Sequence, residues 1–125
     1  MTTPNTLKYS PEHEWVRIEG NIAYVGITDF AQSQLGDIVY LDIDTLNMSL
    51  AKGEVFGDIE AVKTVSPAYM PVSGKIIAIN EALNDAPEVV NQDPYDLGWM
   101  IQIELTNPQE MNELLDAEAY SEICV

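Results

Sequence analysis

Lys63 is the residue of this chain best placed to do chemistry. It lies in residues 57–74, Gly-Asp-Ile-Glu-Ala-Val-Lys-Thr-Val-Ser-Pro-Ala-Tyr-Met-Pro-Val-Ser-Gly, which read as a strand, a tight reversal and a second strand with Lys63 at the apex. The chain has five basic residues against 21 acidic ones, so a lysine held out on a hairpin tip is poorly used as core support. An exposed turn lysine without a role is the ordinary meaning of such a position. The pattern around it shifts that reading. Asp58 and Glu60 fall on one face of the approaching strand by its period of two. Ala61 and Val62 leave the lysine sterically open, and residues 71–74 are expected to begin the return strand. A catalytic free lysine needs a pKa lowered by burial or a neighbouring cation. The neighbours here are carboxylates, which sets Schiff-base chemistry aside and leaves acylation by a modifying enzyme.

The other reactive types are sparse. His13 is the only histidine, flanked by Glu12 and Glu14. No Gly-x-Ser-x-Gly elbow stands anywhere to complete a triad, and one histidine with carboxylates lacks metal-ligand spacing. No catalytic residue and no metal are therefore expected. Cys124 is the only cysteine, so an internal disulfide and a CxxC pair are excluded.

Composition narrows the partners. The net charge is −16, and from position 76 onward the chain carries carboxylates but no lysine or arginine. Such a surface repels phosphate backbones, which excludes nucleic acid, and is drawn to basic faces of other proteins. The same acidity serves solubility, and a monomer is expected. The aliphatic run 76–79 falls far short of the roughly 18 residues of a membrane helix. Residues 1–6 have neither a basic nor an apolar leader segment, so no membrane association and a cytoplasmic location are expected.

The elements that must hold Lys63 out are mostly short strands. Residues 15–18 and 22–27 pair across Glu19-Gly20-Asn21, a hairpin reversal. A short helix follows, with Asp29 and Gln32 spaced as a capping box and Gly36 as the stop. Residues 37–43 alternate, Ile38, Tyr40 and Asp42 facing one way and Val39, Leu41 and Ile43 the other. Residues 54–61 lead to Lys63, 75–80 and 99–105 are further strands, and 81–98 read as a loop with one helical turn at most. Asn107, Pro108 and Glu110 predict a capped helix, and Asp116 a further turn ending near Cys124. Trp15, Trp99 and the six tyrosines are assigned to packing. About seven strands with marginal helices predict a mainly β sandwich or flattened barrel. The segments starting at Gly20 and Gly74 are faintly alike, as in two similar halves.

Taken together, Tyr9-Ser-Pro-Glu-His-Glu-Trp-Val, Val25-Gly-Ile-Thr-Asp-Phe-Ala-Gln, Gln34-Leu-Gly-Asp-Ile-Val, Gly57-Asp-Ile-Glu-Ala-Val-Lys, Pro71-Val-Ser-Gly, Pro87-Glu-Val-Val-Asn, Pro94-Tyr-Asp-Leu-Gly-Trp and Leu115-Asp-Ala-Glu-Ala-Tyr resemble the H protein of the glycine cleavage system. The resemblance runs through nearly the whole chain. It implies a hybrid barrel-sandwich of short antiparallel strands, with a short helix after strand two and C-terminal helices. Residues 1–125 would form one lipoyl-carrier domain, with a hairpin core at about 22–105 and a helical segment at about 107–124.

The resemblance places lipoate on Lys63 through an amide, gives Glu60 to recognition by the lipoate-attaching enzyme, and gives Glu14 to a cleft that shelters the loaded arm. It implies a non-catalytic carrier in glycine catabolism and one-carbon metabolism. Its partners would be the pyridoxal-phosphate glycine decarboxylase (P protein), the tetrahydrofolate-dependent aminomethyltransferase (T protein) and dihydrolipoamide dehydrogenase (L protein). Thr64, Pro67 and Met70 depart from the family pattern, which favours a small residue, an acidic residue and a small residue at those positions. A biotin carrier would flank its lysine with methionines, and Val62 and Thr64 stand there instead. Two alternatives stay open: a lipoyl or octanoyl relay serving other complexes, and an acidic adaptor with an unmodified Lys63.

Overall fold

The structure, a computed structural model, describes residues 3–124. In chain order the elements are β1 (Lys8–Tyr9), β2 (Glu14–Glu19), β3 (Ile22–Ile27), α1 (Asp29–Leu35), β4 (Ile38–Asp42), β5 (Ser49–Leu50), β6 (Val55–Ala61), β7 (Val65–Tyr69) and β8 (Gly74–Ile79). There follow α2 (Ala82–Asp85), α3 (Val89–Gln92), β9 (Ile101–Leu105), a 3₁₀ turn (Pro108–Glu113) and α4 (Ala117–Ile123). The strands form two antiparallel sheets, a six-stranded one in the order β1-β2-β3-β9-β8-β5 and a three-stranded one in the order β4-β6-β7. Neither closes on itself. The fold is mainly β, as expected.

One apolar cluster joins the sheets. Val25 and Ile27 of β3, Ile76 of β8 and Ile101 and Ile103 of β9 meet Ile38, Leu41, Phe56, Ile59 and Ala68 from the small sheet. A second cluster gathers Leu7, Tyr9, Trp15, Ala117 and Tyr120 beneath the C-terminal helix. Burial of such side chains stabilises by about 2 kcal/mol each. The two segments that look alike in sequence, β3 and β8, flank β9 on either side.

Several local expectations change. β1 is an added two-residue strand, so α1 follows the third strand rather than the second. Thr28, not Asp29, caps α1: its hydroxyl accepts from the Ala31 N–H at 3.1 Å, while Gln32 donates to Asp29 side chain to side chain. Gly36 ends the helix at φ 80°, as expected. The strict alternation of residues 37–43 breaks at a bulge between Ile38 and Tyr40. The extra residue turns both Ile38 and Leu41 into the core and leaves Val39 and Tyr40 exposed.

The return strand of the Lys63 hairpin is β7, while residues 71–74 lead into β8. The physical reason is the tightness of the turn, since Glu60 already pairs with Val65. Pro108–Glu113 form a 3₁₀ turn without a side-chain cap at Asn107. Glu110 is engaged elsewhere, accepting from the backbone N–H and the hydroxyl of Ser73. Asp116 does cap α4, accepting from Ala119 N–H. The segment 81–98 holds two helical turns, α2 and α3, where one was expected. Trp15 is fully buried, but Tyr40 is half-exposed and does not serve the core.

The second of those helical turns has a structural purpose. The Asn91 side chain accepts from the Ile38 N–H at 3.0 Å and donates to the Gly36 carbonyl and to Gln32 at 2.9 Å each. One amide thus ties the end of α1 to the start of β4. Asn91→Ala leaves these groups to find water, so it should cost about 2 kcal/mol, read as a lower denaturation midpoint at unchanged m-value.

Candidate functional site

Val62 and Lys63 are the two central residues of the β6–β7 turn, closed by Ala61 N–H donating to the Thr64 carbonyl at 2.8 Å. The Val62 N–H donates to the Asp37 carbonyl at 3.0 Å. The tip is therefore pinned to the loop that Asn91 holds. Lys63 is exposed. Among the described residues the ion pairs are Arg17–Glu19 and Lys52–Glu113, neither of them at the hairpin. Asp58 and Glu60 share a half-exposed face of β6, with Ile59 and Ala61 turned inward, as the strand period predicts.

Glu14 opens β2 and is only 2 % exposed, so it is not an exposed strand carboxylate. Its Oε1 accepts from the Ser10 hydroxyl at 2.5 Å, and its Oε2 accepts from the Tyr69 N–H of β7 at 3.3 Å. Loss of water raises its pKa from an ordinary 4.5 to about 7, more than its hydrogen bonds lower it, and the nearby Glu12 charge adds to the rise. His13, beside it, adopts φ 76°. Its Nδ1 lies 2.7 Å from the Tyr120 hydroxyl, which lies 2.7 Å from Thr28 Oγ1. Burial lowers the His13 pKa, and Glu12 opposes that shift. The histidine is thus a structural link between α4 and the cap of α1.

Between α1 and the hairpin these residues enclose a cleft of about 250 Å³. Its walls include Glu12, His13, Glu14, Phe30, Ala31, Gln34, Leu35, Ser66 and Pro67. A neighbouring groove runs along Ser33, Gln34, Leu35, Gly36 and Asp37 to Val62 and Lys63. Gln34 and Leu35 line both, so the cleft and the lysine lie on one continuous strip. From Thr64 to Pro67 along β7 is about 10 Å. The structure thereby brings Lys63 and Glu14 to opposite ends of one path, while Glu60 sits on the outer face of the hairpin, away from it.

Sequence reasoning missed Ser10, the Tyr69 N–H, Asn91 and Tyr120. A backbone donor carries no residue signature. Tyr120 lies 107 positions from His13, and no local pattern links them.

Residues 7–125 match the family described as Glycine cleavage H-protein. The chain belongs to that family. Its members are non-catalytic lipoyl carriers of the glycine cleavage system, and that system is where the partners of an H-family chain lie. A solved structure of a glycine cleavage system H protein from Mycobacterium marinum is similar at 34 % identity and a TM-score of 0.87, over 95 % of this chain and 96 % of that one. No helix among the described residues is long and apolar enough to cross a membrane.

The Glu14 shift has a consequence for stability. A carboxyl whose folded pKa is raised stabilises the fold fully below its unfolded pKa, near 4.5, and loses that contribution as pH climbs through about 7. The loss amounts to about 3 kcal/mol. Glu14→Gln does not titrate. Its unfolding free energy, measured relative to the natural chain, should gain by about that amount between about pH 4 and about pH 8. Other carboxylates cancel in the difference, and a flat difference would mean that Glu14 ionises in the fold as it does in water.

Proposed function

We propose that residues 1–125 act as one lipoyl-carrier domain, a cytoplasmic monomer modified at Lys63. It carries the aminomethyl group of glycine from the pyridoxal-phosphate decarboxylase to the tetrahydrofolate-dependent aminomethyltransferase, and is then reoxidised by dihydrolipoamide dehydrogenase. The observation that carries this reading is the continuous strip from an exposed turn lysine to a cleft with a buried carboxyl. Lipoate, when attached, supplies a disulfide able to accept and release the aminomethyl group.

The residues present fit such a group. Lys63 offers an unhindered amine, and the arm it would bear reaches about 14 Å by bond lengths near 1.5 Å, more than the span of β7 to the cleft. Phe30, Ala31 and Leu35 give that cleft an apolar wall. Glu14 lines the same cleft with a pKa raised to about 7, so near neutral pH it holds its proton about half the time. A cation entering the cleft favours the carboxylate, so docking of an amine there releases a proton near pH 7 and gains a charge-assisted bond. Pro67 lines the same cleft without a charge, which concentrates this work on Glu14. Glu60, three residues before Lys63 and on the outer face, serves recognition by the lipoate-attaching enzyme.

Lys63→Arg keeps the charge and removes the nucleophilic amine. It should fold normally and show no lipoyl mass by intact-mass spectrometry after expression in lipoate-competent cells. A lipoyl mass retained in that variant would place the attachment elsewhere, and a natural chain that stays unmodified would favour the adaptor alternative. Glu14→Ala should accept lipoate normally yet, once loaded, lose ammonia several-fold faster without enzyme. A shift of one pKa unit in pairing alone is worth about tenfold. An unchanged lifetime of the loaded form would reject Glu14 as the sheltering group.

A further inference from the structure

The outer face of the three-stranded sheet carries two features that work against folding. Pairing places Tyr40, Glu60 and Val65 side by side in one row, and Asp42 and Asp58 side by side in the next row of the same face. Tyr40 is 49 % and Val65 58 % exposed, so two large apolar side chains are left in water. Asp42 stands directly opposite Asp58, a like-charge pair that destabilises a sheet. Among the described residues neither aspartate nor Glu60 has an ion-pair partner. The far side of the same strands is the core, through Leu41 and Ile59. A face with exposed anchors ringed by unneutralised acids is built for contact with something basic.

We propose that this face is the docking surface for the enzyme that forms the amide on Lys63, and that this partner presents an apolar seat for Tyr40 and Val65 within a rim of lysine or arginine. The proposal rests on Lys63 being the attachment site. Distance selects this partner among those that handle the hairpin. Before modification the reactive amine stands about 6 Å from the backbone, so the attaching enzyme must press against the flanks of β6 and β7. Afterwards the arm allows enzymes to work from about 14 Å. In the step itself the deprotonated Lys63 Nζ attacks the carbonyl of a lipoyl-adenylate. The N–C bond forms, the C–O bond to phosphate breaks, AMP leaves with the electron pair, and the amine's second proton passes to solvent.

The test uses the full chain with a purified ATP-dependent lipoate ligase, lipoate and ATP, followed by intact mass over time. Two variants are compared with the natural chain: Asp42→Asn with Asp58→Asn, and Tyr40→Ser alone. Each should lower kcat/KM for attachment about tenfold, mainly through KM, and the double variant should lose most of the salt dependence of the rate. The double variant should also melt no lower than the natural chain, because a repulsive pair has been removed. Once driven to full lipoylation, both variants should be turned over by dihydrolipoamide dehydrogenase at the natural rate. Attachment at the natural kcat/KM in both variants would overturn the proposal. Equal losses in attachment and in dehydrogenase turnover would overturn the assignment of this face to the attaching enzyme. A natural chain that never gains the lipoyl mass would overturn the reading of Lys63 itself, and this proposal with it.

Discussion

Glu14 joins the two sheets, and the geometry of the strip depends on that joint. It sits at the start of β2 in the large sheet, and its carboxyl accepts from the Tyr69 N–H at the free edge of β7 in the small one. Ser10 holds the other oxygen at 2.5 Å and also accepts from the Glu14 N–H at 3.1 Å. A buried carboxyl without such partners would be costly. Two donors reduce that cost without removing it, and the residual desolvation keeps the proton bound near neutrality. The group that fastens the sheets therefore also holds a charge in reserve, which a cation in the cleft can call out.

The hairpin tip is braced by a separate set of bonds. Asn91 fastens the end of α1 and the start of β4, the loop between them presents the Asp37 carbonyl, and that carbonyl takes the Val62 N–H. Lys63 stays exposed while the backbone beneath it is held. A rigid base under the exposed side chain would limit where the end of any group attached there could go. Pro67, on the edge strand β7, brings no N–H to that edge. It leaves the cleft one backbone donor fewer and guards the edge against pairing with another chain.

Charge is unevenly distributed over the two sides of the hairpin. Asp42, Asp58 and Glu60 gather on the outer face of the small sheet, and the cleft on the other side of the hairpin holds Glu14, whose pKa burial raises to about 7. The long-range field of a chain with net charge −16 draws basic surfaces from any direction within the screening length of about 8 Å at physiological salt.

Residue identity alone determined the mainly β class, a tight reversal with Lys63 at its exposed tip, and the caps at Gly36 and Asp116. These rest on local physics: period-two patterning, turn propensity, capping, and the scarcity of cations in an acidic chain. The tertiary structure decided the rest, because it brings together groups far apart in the chain. The bulge after Ile38 answers to packing against β6, which no alternation within residues 37–43 can reveal. Glu110 left its capping role for Ser73, and Asn91, inside a loop-like stretch, became the brace of the tip. Glu14 reads as one acid among 21. Only its burial under Tyr69, 55 residues away, makes it a group that changes charge near neutrality, since desolvation belongs to the folded surroundings and not to the residue.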